Sequence, residues 1–346
     1  MSKPFALIVH ALICFCAMIS ALTFAGDSAL SEDAPAATTA FNPAIVYTSS
    51  SDANDQAFVS SALLGVKRAQ VQLDITVLEE RVARTQDIQA TLEKLAKQGF
   101  SPIIALGYQN VAPVSAVAPK FPATHFNVID GLVPPIYPNV QSSMFKDHEG
   151  AFLVGMIAAY SSKTGHIAFI GGMDIATIRN FALGFRQGAA YANHDIRIDE
   201  IMIGTTPKAW SDPDKAFRLA QERYGNGVDV IFAAAGGSGY GVLKAAKLSN
   251  AFAIGVDTNQ NSLFPGHVLT SLVKRVDIAV FEAIKNGQLG SWQSGLSLLG
   301  IKEGALDYAV DQNNKSIISS STVDKVGNAK ERIINGLIDV QSYSAR

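Results

Sequence analysis

The stretch VDVIFAAAGGSGYGVLKAAKLSNAFAIGVDTNQ, residues 228–260, constrains the fold more than any other part of the chain. VDVIFAAA and AFAIGVD are uninterrupted apolar runs of the kind that strands buried on both faces carry, and GVLKAAK between them is helix-prone. Together they read as a βαβ unit. Its first turn contains Gly236, Gly237, Gly239 and Gly241, where missing Cβ atoms let a ligand approach the backbone and the N–H groups of a helix start. Asp257 ends the second strand twenty residues after Gly237, the distance at which dinucleotide folds place an acid on ribose hydroxyls. The pyrophosphate fingerprint requires a further glycine where Val242 stands, so a ribose without phosphates fits better than a dinucleotide. The same glycines also suit a tight strand-to-helix turn with no ligand.

With 346 residues the chain exceeds what one core usually organises, so two domains are expected. A net charge of −2 offers no basic footprint, and no nucleic-acid partner is expected. Residues 1–25 combine a lysine, a long uncharged apolar stretch and small residues near Ala25, the pattern of a cleaved signal peptide. Cys14 and Cys16, the two cysteines, both fall inside it without the lipoprotein processing pattern, so no lipid anchor is expected. Cleavage would leave a cysteine-free chain of charge −3, without disulfides or thiolate metal ligands, in the periplasm. Residues 26–43, rich in Ala, Ser, Thr and Pro, read as a mobile leader.

From Ala44 apolar runs alternate with helical stretches, which argues for parallel α/β architecture. Strands are expected at 44–49, 71–79, 101–108, 124–130, 166–172, 198–204, 228–235, 251–257 and 267–273. Helices fit at 55–70, 86–98, 149–162, 175–192, 213–224, 239–248 and 276–286. Nine strands exceed one small sheet, so two doubly wound lobes are expected, with ligands beyond the carboxyl ends of the strands. The residues there include acids, aromatics, glycines and hydroxyls, but no histidine.

His10 lies in the signal peptide and most of the other five histidines flank starting ends of elements, and HExxH, GxSxG and a P-loop lysine are absent, so neither catalysis nor a metal or other cofactor is expected. Aromatics at strand ends could stack on a flat ring. Phe58 and Trp210 stand in opposite lobes, although Phe58 also fits the apolar face of its own helix. Lys274 closes HVLTSLVK and could reach a ligand or water, and opposite charges at Asp257 and Lys274 would orient each other.

EGAFLVGMIAAYSSKTGHIAFIGGMDIATIRNFALGFRQGA (149–189), WSDP (210–213), GVDVIFAAAGGSGYGV (227–242), AIGVDTNQ (253–260) and LTSLVKRVD (269–277) closely resemble the basic membrane protein family. The colinear match extends over most of residues 44–310. That family comprises substrate-binding proteins of ABC transporters, including purine nucleoside receptors. The resemblance implies a type I periplasmic-binding fold whose two lobes, joined by crossing segments, close on a small molecule delivered to an inner-membrane permease. The family's Asp-x-Ser-Phe-Asn motif corresponds to Asp55-Gln56-Ala57-Phe58-Val59, so Asp55 and Phe58 carry over whereas Ala57 and Val59 depart. Trp210 stands at the second stacking position, Asp257 with Lys274 at the ribose, and Asp130 at the acid contributed by the first lobe. Gly236 and Gly237 would permit close approach. A monomer is expected, with lobe 1 at 44–145 and 266–296, lobe 2 at 146–265 and 297–346, and crossings near 131–145, 260–270 and 287–297. Competing readings are another ligand, such as a sugar, modified nucleoside or signalling molecule, a sensory role, and an exported nucleoside hydrolase, for which no DxDxxxDD cluster is present.

Overall fold

Apolar runs that lack polar alternation need cover on both faces, and here they form the middles of two sheets. The computed structural model describes residues 41–48 and 56–343. The expected signal peptide, the leader through residue 40 and Asp55 lie outside the described residues.

The first sheet contains β1 (Ala44–Thr48), β2 (Leu78–Val82), β3 (Ile103–Leu106), β4 (Phe126–Ile129), β5 (Val140–Phe145) and β11 (Gly295–Leu299), in the order β11-β5-β4-β3-β1-β2. All of its pairings are parallel. The second contains β6 (His166–Met173), β7 (Arg197–Gly204), β8 (Val230–Ala234), β9 (Phe252–Asp257), β10 (Val268–Lys274) and β12 (Leu306–Tyr308), in the order β12-β10-β9-β8-β6-β7. There β12 alone runs antiparallel, against β10. Without β11 and β12, both sheets follow the doubly wound order 2-1-3-4-5. The duplication is thus visible in topology.

The helices are α1 (Gln56–Leu73), α2 (Ile88–Lys97), α3 (Val111–Val117), α4 (Asp147–Ser161), α5 (Ala176–Ala192), α6 (Pro213–Gly225), α7 (Gly239–Leu248), α8 (Val276–Gln288) and α9 (Ser320–Ile334). α4 is apolar nearly all round because it is enclosed by the second sheet, α5 and α9. At Gly188 of α5 a Cβ would collide with the Phe152 carbonyl of α4, so these helices approach closely only because a hydrogen stands there.

Several boundaries differ from those expected. VQLDITVLE (71–79) splits: α1 continues to Leu73, Asp74 adopts φ 51, and the strand begins at Leu78. Val71 is exposed on the helix, which breaks the periodicity that would have marked it as helical. The supposed crossing at 131–145 contains β5, whose Ser142 and Ser143 are buried but satisfied by Val133 and Asn127. Residues 41–43 are tied down, with the Asn42 carbonyl accepting from Ser101 N and that of Pro43 from Leu78 N.

The expected return to the first lobe at residue 266 is also corrected. β10 pairs with β9 in the second sheet, and the chain changes side only after Lys274, where α8 packs on α1. An apolar run such as HVLTSLV carries no record of which sheet will accept it. The crossings are therefore β5 to α4, β10 to α8 and β11 to β12. Lys146 N donates to Leu299 O at 2.9 Å and Arg275 N to Ala305 O at 2.8 Å, binding the three crossings together.

Candidate functional site

In a doubly wound sheet the strands flanking the point where the order reverses splay their following loops apart, leaving a crevice at their carboxyl ends. The two such points face one cavity of about 590 Å³, within the roughly 300–1,000 Å³ usual for small-molecule sites. Tyr47 and Thr48 of β1 and Gly107, Tyr108 and Gln109 after β3 line it from one half. Met173 of β6, Ala234 of β8 and Gly236 line it from the other. The Tyr108 hydroxyl lies 3.5 Å from the Met173 sulfur, a contact between the halves.

Phe58 of α1 and Trp210, which ends the 3-10 turn Pro207–Trp210 after β7, both line the cavity. Trp210 is placed by two features of its surroundings. A Cβ at Gly172 would strike the indole ring. Buried Ser238 donates to Ala209 O at 2.8 Å and accepts from Asp212 N at 2.7 Å, so the glycine turn holds the tryptophan turn from behind. The indole N–H is buried and has no hydrogen-bond partner among the described residues. Gly236, with φ 52, lines the cavity, whereas Gly237 is buried and is not among its lining residues.

Asp130, Asp257 and Lys274 converge at the same cavity. Asp130 follows β4 and Asp257 ends β9, equivalent strands of the two sheets, and both adopt left-handed backbone at φ 59 and φ 68. Such non-glycine backbone costs about 1–3 kcal/mol and persists where the surroundings enforce it. Lys274 is 1 % exposed, with Nζ 2.7 Å from Asp130 Oδ2 and 4.6 Å, 5.5 Å and 5.9 Å from the ring centroids of Phe145, Phe181 and Phe58.

The sequence reasoning missed Asp147, the first residue of α4, which is 1 % exposed and lies 3.1 Å from Lys274 Nζ. That separation is an ion-pair distance without hydrogen-bond alignment, and neither Asp147 oxygen has a hydrogen-bond partner among the described residues. Burial pushes the Asp147 carboxyl up to about 8 against the pull of Lys274, with Asp130 and Asp257 adding to the rise. Burial works against the Lys274 ammonium, but Asp130, Asp147 and Asp257 together hold its pKa above the usual lysine value. Among the described residues no group of His, Cys, Asp and Glu is arranged to hold a metal ion.

A ring-lined, acid-floored cleft thus lies between two facing switch points. Residues 43–344 match the family model described as ABC transporter substrate-binding protein PnrA-like. The chain belongs to this family. Among its relatives, basic membrane protein A of Borreliella burgdorferi is 34% identical over 298 residues, covering 84% of this chain and 85% of the relative. The ABC transporter nucleoside-binding protein BmpA of Lactococcus lactis is 30% identical over 323 residues, covering 86% and 89%. A solved ABC transporter solute-binding protein from Aeropyrum pernix has a TM-score of 0.76 at 25% identity, covering 88% of this chain and 94% of that one. The architecture is accordingly the type I periplasmic-binding fold expected from the sequence.

Of the candidate site residues read from the sequence, the structure brings Phe58, Asp130, Trp210, Gly236, Asp257 and Lys274 to one cavity. Gly237 stands behind the wall, and Asp55 lies outside the described residues. Tyr108 and Met173 belonged to the strand-end segments that the fold made informative, but nothing in their residue type set them apart. Val59, where the family motif has asparagine, also lines the cavity.

Proposed function

We propose that the protein captures a nucleoside between its two halves and delivers it to an ABC-type permease in the membrane, working outside the cytoplasm as a binding protein rather than an enzyme. The observation that carries this reading is the meeting, in one cavity, of aromatic rings from opposite halves with a lysine–carboxylate cluster behind them. Phe58 and Trp210 would take the faces of the base, each contact contributing about 1–3 kcal/mol. Asp257 would accept the ribose hydroxyls and Lys274 would donate to them. A charge-assisted hydrogen bond contributes about 1.5–3 kcal/mol, and an orphaned buried carboxylate costs at least as much. The name of the Lactococcus lactis relative supports the ligand class.

The test is a thermal-shift and calorimetric screen of refolded protein against purine and pyrimidine nucleosides, free bases and ribose. Refolding removes retained ligand, since a ligand at 100 times its dissociation constant adds about 2.7 kcal/mol of stability. Shifts with nucleosides that are absent with bases and ribose support the reading, and Asp257→Ala should abolish them. A screen with no response to any nucleoside rejects the reading. Val59 in the cavity wall favours one second reading, a ring-bearing ligand with a less polar edge than an ordinary purine.

A further inference from the structure

Beneath the cavity floor, one buried ammonium is shared by more carboxylates than it can neutralise. Lys274 closes β10 at the second crossing, Asp147 opens α4 at the first, and Asp130 reaches across from the other sheet. Lys274 has three N–H donors, of which one is committed to Asp130 Oδ2 at 2.7 Å. Both oxygens of Asp147 and Oδ1 of Asp130 are buried acceptors that lack a hydrogen-bond donor among the described residues. Three acceptors without an aligned donor, around one cation that carries a single positive charge, form a cluster that a proton on Asp147 would neutralise. Leaving a second carboxylate ionised there would leave a buried charge uncompensated, which typically costs several kcal/mol.

Among the described residues no ion pair joins Asp147 to a cation other than Lys274. On α5, Arg179 pairs with Asp174 and Glu200, and Arg186 lies 3.9 Å from Glu200. On α9, Lys330 pairs with Asp307 of β12, and Lys325 lies over Tyr160. Arg275 pairs with Asp277, and Lys146, beside Asp147, pairs with Glu149. The charges that act on Asp147 are those of Lys274, Asp130 and Asp257.

We propose that Asp147 is a proton-bearing positioning residue for Lys274. It does not touch the ligand. In its neutral form it leaves the ammonium directed to Asp130 and the cleft; when ionised it draws Lys274 back towards α4 and weakens what the ammonium can donate to a ligand. Affinity is thereby tied to pH through a residue outside the cavity wall. The upward displacement of the Asp147 carboxyl to about 8 agrees with this arrangement.

The part of the proposal that concerns ligand affinity rests on the nucleoside reading above, whereas the proton can be tested without ligand. Infrared difference spectra of the unsubstituted protein, from about pH 6 to about pH 9, should show a protonated carboxyl band converting to carboxylate. Urea unfolding of wild type and Asp147→Asn supplies the second ligand-free test. An acid whose folded pKa is raised holds its proton longer when folded, so its contribution falls as pH rises from the ordinary carboxyl value towards about 8. Wild type should therefore lose stability with rising pH relative to Asp147→Asn. Absence of the carboxyl band, or parallel unfolding profiles, overturns the proposal.

The third measurement is calorimetry with adenosine, which does not titrate in this range. Wild-type affinity should weaken by about tenfold from about pH 6 to about pH 9, while Asp147→Asn stays flat and close to the wild-type value at the acidic end. If adenosine binds and both proteins show the same profile, positioning through Lys274 is wrong. If neither binds any nucleoside, the functional reading fails, and the two ligand-free measurements still decide whether Asp147 holds a proton.

Discussion

Trp210 owes its position to small neighbours rather than to its own helix or strand: Gly172 yields it space, and Ser238 pins the turn before it. A ring held this way needs no ligand to be pre-organised, so its stacking energy is spent on binding. Trp210→Ala should weaken nucleoside binding by about 1–3 kcal/mol, roughly 5- to 150-fold, and because the ring also packs on the core, urea titration beside calorimetry separates that loss from the lost packing. Residue type, strand-end position and the family resemblance together pointed to Trp210 and Asp257, because a tryptophan in KAWSDPD and an acid ending GVD are conspicuous. Asp147 in FKDHEG was not. An aspartate in the first turn of a helix ordinarily faces water and favours the helix dipole, and only the closing of the first crossing over β10 buries this one.

At the scale of elements, the two sheets repeat one plan. Gly107 follows β3 and Gly236 follows β8, each with positive φ, each opening a short 3-10 turn and each lining the cavity. Asp130 and Asp257 occupy the next strand of each sheet in the same left-handed backbone. Duplication thus supplies the cleft with paired devices, which later diverge in partner: Asp130 meets Lys274, while the corresponding ends of β5 and β10 carry Phe145 and Lys274. The closeness of α4 and α5 sets where the second sheet's helices stand. Gly188→Val should force them apart and lower unfolding free energy by at least about 1–3 kcal/mol in urea titrations, whereas the same substitution at exposed Gly225, where a Cβ meets nothing, should cost only the propensity difference. Central strands such as β8 and β9 were legible as apolar runs. β5 and β12 were not, because buried serines disguise the first and the second has only three residues.

For the whole molecule, three crossings hinge two halves that each contribute rings and charges to one cavity, so ligand capture should close the cleft and bring Phe58 and Trp210 together. The two tryptophans report on this differently. Trp292 is stacked on His125 with centroids 4.1 Å apart and planes at 5°, and it is not a cavity residue. Nucleoside addition should change the emission of wild type and Trp292→Phe alike and leave Trp210→Phe silent; a response that survives in Trp210→Phe places the ligand elsewhere. By itself, the sequence determined the fold class and the doubly wound plan and pointed to six of the residues that line the cleft, because buried parallel strands demand continuous apolar runs and ligands gather at their ends. Only the tertiary structure decided that β10 stays in the second sheet, that the chain crosses after Lys274, and that Asp147 stands against the same ammonium as Asp130. The reason is physical: periodicity records whether a segment is buried, but which sheet buries it depends on strand pairings such as Val268 with Ala253 and Leu272 with Tyr308, and which charges meet there depends on contacts such as Lys274 with Asp130, more than a hundred positions apart.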